Sequence, residues 1–342
     1  MATAAESTWQ AFPLDRDIEE YLADVDRRLL PYLRRAVRRV PDVEPLKRGI
    51  THQVLSGGKR VRAALCACSC SLFGAPHERA LPFAAAIEHL QNFSLIHDDI
   101  ADGDTHRRSQ ESIWRQFGVA HGVNIGDMFI ALSASAIVEA PYPDRLKVRL
   151  MELVAQFGAD MAVGQALDVN MRASDTVTEN DYFDATERKT GAFLAMAAVG
   201  GGIVGGASTP QLEQLRRFAL QAGVAFQIKD DLLDVDGDKG RPRGSDIREG
   251  KRTLLVIYAA ARASAADRQR LFAILNTPRA LNTVEELDWV RTLYQRTDAQ
   301  NTVEQTATRL VDEACVHLAS LPETEAKYRL LRLAKYLGRR NH

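Results

Sequence analysis

Along nearly the whole chain, apolar residues recur at three- and four-residue intervals, and almost nowhere do they alternate every second residue between hairpin turns. The first spacing lays side chains along one stripe of an α-helix, whereas a half-buried strand needs the second. An all-α fold is therefore expected. Helical patterns run over Ile18–Val40, stopped by Pro41, then over Leu81–His97, Arg145–Met171, Gln211–Val235 and Leu254–Ala266. Further ones cover Val284–Gln295, Thr302–Leu321 and Glu323–Leu337. Short polar breaks fall at Gly74–His77, Ala140–Asp144, Ala207–Pro210 and Asn276–Asn282, and one long break, Asp236–Gly250, is rich in Gly, Asp, Lys and Arg. Loops of that length within compact domains are often lids or binding loops. No repeat or linker interrupts the pattern, so residues 15–342 read as a single large helical domain behind a disordered tail at 1–14.

The 44 Lys and Arg residues nearly balance 45 Asp and Glu, so no global field draws the chain to nucleic acid or to an anionic membrane. Affinity for phosphates must come from local clusters. Of four cysteines, three stand close together at Cys66, Cys68 and Cys70. That spacing suits neither a disulfide framework nor paired zinc ligands, and it reads as helix packing in a reducing cytoplasm. No basic segment followed by an apolar run opens the chain, so no signal peptide is expected. The most membrane-like stretch, Phe193–Ala207, is glycine-rich and shorter than the ~18 apolar residues of a spanning helix. It reads as a buried helix with close neighbours, and no transmembrane segment is expected.

Two acidic clusters share one spacing. Leu-Ile-His-Asp-Asp-Ile-Ala-Asp includes Asp98, Asp99 and Asp102, and Phe-Gln-Ile-Lys-Asp-Asp-Leu-Leu-Asp includes Asp230, Asp231 and Asp234. Each lies at the C-terminal part of an apolar helical run, and its carboxylates, three and four residues apart, share a helix face. Like charges packed there, at the negative end of the helix dipole, call for a cationic partner. One such cluster is adequately read as a solvated acidic face; two of identical spacing, both following buried-looking runs, are not. Hard oxygen donors of this kind suit Mg²⁺, which shares its coordination with water and substrate phosphates. Zinc lacks its Cys and His set here, and a di-iron bundle lacks its Glu-x-x-His pairs.

A diphosphate bound through magnesium needs further cations, and they are present. Gly57-Gly58 precedes Lys59 and Arg62, read as three apart on one face of a helix whose N-terminus favours anions. Arg107 and Arg108 follow the first acidic cluster, and arginine offers forked donors to phosphate. Lys189-Thr190-Gly191, Arg241 and Lys251 are weaker signals by themselves. His97 directly precedes Asp98 but has no evident Ser or Cys nucleophile, and is read as packed or hydrogen-bonded.

Taken in order, these motifs resemble the polyprenyl (isoprenyl) diphosphate synthase family. They are GGKRVR (57–62), QNFSLIHDDIADGDTHRR (91–108), GD (126–127), KTG (189–191), FQIKDDLLD (226–234) and GSDIREGKRT (244–253), and the resemblance spans about residues 45–260. It implies a helical bundle around a deep central cavity, the isoprenoid synthase fold, usually as a homodimer. It implies a cytoplasmic enzyme that condenses isopentenyl diphosphate head-to-tail with dimethylallyl, geranyl or farnesyl diphosphate. Asp98, Asp99, Asp102 and Asp230 would bind magnesium, assisted by Asp231 and Asp234, with three ions when substrate is bound. Arg107, Lys189, Thr190, Gln227 and Lys251 would serve the allylic diphosphate, and Arg241 would also bind substrate. Lys59, Arg62, Gln91 and Arg108 would hold isopentenyl diphosphate. The catalytic set is then Asp98, Asp99, Asp102, Arg107, Lys189 and Asp230, and the 236–250 loop is expected to close over it.

Some positions depart from the family pattern. Ala63 stands where proline is common, Ser109 replaces the glycine after the arginine pair, Trp114 stands where histidine is frequent, and Arg241 where lysine is. None removes a ligand or a charge. The first motif has no insertion, and Phe93 and Ser94 occupy the positions that help form the cavity floor in the family. Phe93 stands five residues before Asp98, about 7.5 Å along a helix axis, which resembles the geranylgeranyl (C20) pattern. Farnesyl or longer products are the alternatives. A class I terpene cyclase needs no second diphosphate site, so Lys59, Arg62 and the arginine pair argue against one. A silent regulatory subunit is disfavoured because both acidic clusters are complete.

Overall fold

The structure, a computed structural model, describes residues 14–236 and 243–339. Its helices are α1 (Leu14–Arg39), α2 (Leu46–Leu55), α3 (Val61–Ser71), α4 (Leu81–Asp102), α5 (Ile113–Phe117), α6 (Val119–Val138), α7 (Asp144–Met171) and α8 (Glu179–Thr186). They continue as α9 (Ala192–Gly205), α10 (Thr209–Asp236), α11 (Ser245–Arg248), α12 (Leu254–Arg262), α13 (Ala265–Leu275), α14 (Val284–Arg296), α15 (Ala299–Val316) and α16 (Glu325–Arg339). The all-α expectation holds. Among the described residues the only strands are β1 (His106–Arg107) and β2 (Gln110–Glu111), an antiparallel hairpin too short to show in a pattern.

At the centre stands α9, with every residue from Ala192 to Val204 buried. It packs on α3, α10 and α7, while α4 lies along α6 and α10 along α15. A Cβ on Gly201 would sit 2.1 Å from the Cys66 carbonyl oxygen, so glycine is what lets the α3 and α9 backbones touch. Cys66, Cys68 and Cys70 are buried free thiols; Cys66 and Cys70 lie on that contact, while Cys68 donates to the Ala326 carbonyl and burial pushes its thiol up to about 12. Phe193–Ala207 is thus a core helix, as expected. Among the described residues the helix with the length and composition to cross a bilayer is instead α6.

Several sequence boundaries need correction. Lys59 precedes α3, with Arg60 turned into the left-handed region at φ 51°, so Lys59 and Arg62 do not share a helix face. Leu254–Ala266 is two helices, because the Ser264 hydroxyl accepts from the Asp267 amide and caps α13. The pattern at Thr302–Leu321 ends earlier, at Val316, and α2 and α6 were not anticipated. In α6 apolar residues are spread over the surface with almost no charge to mark a stripe. The 236–250 break contains α11, while Arg241 and most of the tail at 1–14 lie outside the described residues.

Candidate active site

A cavity of about 920 Å³ opens among α4, α6, α7, α9 and α10. Asp98, Asp102 and Asp230 line it, together with Lys59, Arg62, Arg107, Arg108, Lys189 and Lys251. Its apolar wall includes Phe93, Ile130, Val154, Met161 and Phe226. Both acidic motifs and both basic sets therefore share one space.

Helix α4 starts with Pro82 in its first turn and stops at Gly103, φ 68°, the usual asymmetry of helix ends. The first motif occupies the last turn, and the cations its position demands are there. Lys189 Nζ lies 3.9 Å from Asp98. Arg107 Nε donates to Asp99 at 2.9 Å. Arg172 Nη2 donates to Asp102 at 2.8 Å, with Lys251 Nζ at 3.5 Å. Burial pushes Asp99 up to about 6 against the pull of Arg107, and burial likewise raises Asp98 against Lys189. At Asp102 burial acts the same way, but Lys251, Arg172 and Lys189 outweigh it and hold the carboxyl low.

Of the second motif only Asp230 lines the cavity. Asp231 is buried and accepts from the Tyr182 hydroxyl at 2.7 Å and from Gln227 Nε2 at 2.9 Å. Asp234 is buried and accepts from the Asp246 amide at 2.9 Å, tying α10 to the start of α11. Between α8 and α9 the chain forms a π-turn, Glu187–Gly191, that turns Lys189 and Thr190 to the cavity; such turns are frequent at functional sites. Its neighbours come unusually close: a Cβ on Gly164 of α7 would sit 2.4 Å from the Lys189 amide nitrogen. Thr190 Oγ1 donates to Gln227 Oε1 at 2.9 Å.

On the other basic side, Arg62 lies over the Phe193 ring at 4.7 Å and Lys59 over Tyr336 at 5.7 Å. Arg60 also borders the cavity, but its buried guanidinium is engaged by Asp26 at 2.8 Å and Glu88 at 2.9 Å and so fixes the glycine loop. Arg108 donates to Ser56 Oγ at 3.1 Å and to the Gly57 carbonyl. Gln91 lines the cavity near this set, its Oε1 buried without a partner among the described residues. Arg108 and Ser109, at φ 54° and 61°, turn the β1–β2 hairpin, a conformation that explains why glycine would suit position 109. Trp114 Nε1 donates to the Asp104 carbonyl at 2.8 Å. His97 packs on Phe93, ring centroids 4.5 Å apart, and Gly126 leaves room for its ring: a Cβ there would sit 2.3 Å from Nε2.

Among the described residues no three His, Cys, Asp or Glu side chains converge into a ready-made metal cage. The donors are hard carboxylate oxygens brought to one space from two helices. That set fits Mg²⁺, which takes one or two carboxylates and completes its shell from water and phosphate, better than zinc, which wants sulfur and nitrogen. Sequence reasoning missed Asp168, which accepts from both Lys189 and Arg172 at 3.2 Å. The four-residue spacing of Asp168 and Arg172 at the end of α7 was the available signal. It also missed Asp104, Glu249 and Arg279.

A family model described as polyprenyl synthetase matches residues 43–293. The short chain isoprenyl diphosphate synthase of Methanothermobacter thermautotrophicus is 34% identical over 308 residues, covering 89% of this chain and 93% of that protein. The geranylgeranyl pyrophosphate synthase of Geoglobus acetivorans is 30% identical over 301 residues, 87% of this chain and 92% of its own. Among solved structures, geranylgeranyl pyrophosphate synthetase from Pyrococcus horikoshii superposes with a TM-score of 0.84 at 30% identity, covering 94% of this chain and 99% of that one. The polyprenyl synthase of Caulobacter crescentus, complexed with calcium and isoprenyl diphosphate, gives 0.85 at 27%, covering 96% and 97%.

Proposed function

The chain belongs to the polyprenyl synthetase family, and from that premise we propose which of its residues carry the chemistry and how far its product grows. It is a prenyltransferase, a trans-prenyl diphosphate synthase that joins isopentenyl diphosphate to an allylic diphosphate. The family is magnesium-dependent.

In the proposed assignment Asp98, Asp102 and Asp230 face the metal, while Asp99, Asp231 and Asp234 act from behind as orienting groups. Three ions in the substrate-bound state belong to the same proposal. Magnesium held there supplies positive charge to a departing diphosphate. Lys189, Arg107 and Lys251 donate to the allylic diphosphate, with Thr190 and Gln227 as neutral partners. Arg241 joins them in the proposal. Their charge favours ionisation at the carbon–oxygen bond, and the apolar wall keeps water from the allylic cation. Lys59, Arg62, Arg108 and Gln91 hold isopentenyl diphosphate with its double bond toward that cation; the proton it loses passes to the released pyrophosphate. The observation that carries this reading is the single cavity lined by carboxylates of two helices, two basic sets and an apolar wall.

A C20 product is proposed because Phe93 and Ser94 line that cavity and the Phe93 ring is backed by His97. A homodimer is proposed because Val119 and Val123, one turn apart on α6, are exposed apolar residues, as are Val148 and Val163 on α7. A cytoplasmic setting accords with four free cysteines. The test is incubation with Mg²⁺, labelled isopentenyl diphosphate and C5, C10 or C15 primers, with EDTA and Asp98→Ala controls. A magnesium-dependent C20 alcohol after dephosphorylation is expected. A ceiling at another length removes the C20 assignment and leaves the enzyme class.

A further inference from the structure

Three segments distant in sequence meet behind the first carboxylate set: the end of α4 at Asp102–Asp104, the stretch Ser245–Glu249, and the α13–α14 connection at Arg279. At their centre is the Arg279 guanidinium. Nη1 donates to the Asp102 carbonyl and lies 3.3 Å from Glu249 Oε1. Nη2 donates to Asp104 Oδ1 at 2.7 Å and to Ser245 Oγ at 3.2 Å. Ser245 Oγ is 3.1 Å from Asp104 Oδ1 and 2.9 Å from Glu249 Oε1, its one proton serving one carboxylate at a time. The Asp104 and Glu249 side chains are only 2% and 1% exposed. Carboxylates buried that deeply need charged partners, and the Arg279 fork reaches both at once.

The cluster leads directly to the site. Glu249 Oε2 lies 2.7 Å from Lys251 Nζ, and that ammonium is 3.5 Å from Asp102. Arg279 does not line the main cavity. We infer that Arg279 is a positioning residue: it clamps the end of α4 to the segment bearing Lys251, so that a metal-facing carboxylate and a diphosphate-facing cation stay in register. This rests on the roles proposed above for Asp102 and Lys251. In the isopentenyl set Lys59 lies over Tyr336, Arg62 over Phe193, and Arg108 bonds Ser56 and Gly57, so binding of that substrate should be little changed by loss of the clamp.

The test compares the full chain with Arg279→Gln and Arg279→Lys, reading initial rates against Mg²⁺, allylic diphosphate and isopentenyl diphosphate. Thermal unfolding is read with and without magnesium pyrophosphate. In Arg279→Gln the half-saturating Mg²⁺ and the allylic KM should each rise about tenfold, the scale of a lost charged hydrogen bond, with the isopentenyl KM within about twofold and partial recovery in Arg279→Lys. The thermal shift given by magnesium pyrophosphate should shrink, and this readout does not require turnover. A lowered melting temperature with unchanged saturation curves and an unchanged thermal shift would overturn the clamp, as would all three constants rising together. If Arg279→Gln fails to fold, Arg279→Lys, which keeps the charge and loses the fork, supplies the same comparisons. A parent chain that makes no prenyl product counts against the proposed function; the thermal shift then still decides the clamp.

Discussion

Asp98 and Asp99 are neighbours in sequence and opposites in environment: one lines the cavity, and the other is turned to Arg107 and pushed up to about 6 by burial. The motif spacing identifies the helix face but not which carboxylate meets solvent, because that depends on partners eight and seventy residues away. Asp98→Ala should lower the rate by about 10²–10³-fold, whereas Asp231→Asn, behind Tyr182, should cost about tenfold. Equal losses in steady-state assays would make Asp231 a ligand. Phe93→Ala should lengthen the product, and an unchanged chain length would take Phe93 out of the floor. His89 escaped the sequence reading altogether. It is fully buried, stacked on Phe129 with centroids 5.9 Å apart, and burial lowers its pKa to about 4. The unfolded chain therefore takes the proton first, so stability present above pH 6.5 is lost as pH falls toward 4, by about 3 kcal/mol. His89→Phe should flatten that part of the decline in denaturant titrations at pH 7 and pH 5.

At the scale of elements, legibility followed charge contrast. Amphipathic helices such as α1 and α16 showed in the sequence because polar residues outline their apolar stripes, while α6 did not because almost nothing outlines it. The glycine loop before α3 was recognised, yet its path was not, since Arg60 takes its left-handed turn while ion-paired to Asp26 and Glu88 on other helices. The α3–α9 contact is where one added methyl should matter most. Gly201→Ala must push two backbones apart and should cost about 1–3 kcal/mol, read as a lower midpoint in urea with little change in slope.

For the whole molecule, the exposed Val119 and Val123 of α6 put the homodimer proposal to a direct test. Val123→Glu should convert a sedimenting dimer to monomers, and a parent chain that already sediments as a monomer would end the homodimer proposal. The cavity, too, is a balanced system before anything enters it. The carboxylates of the first motif already hold Lys189, Arg107, Arg172 and Lys251 as counterions. With the metal and diphosphate roles proposed above, loading such a site would be a double exchange: carboxylates would trade ammonium and guanidinium for a divalent ion, while the freed cations would trade carboxylate for phosphate. Neither half would then be favourable by itself, since a metal arriving alone would displace cations with nowhere to go, and a diphosphate arriving alone would strand the carboxylates. Occupancy should then track the product of the two concentrations, as precipitation of a sparingly soluble salt does, leaving the enzyme empty whenever either partner is scarce.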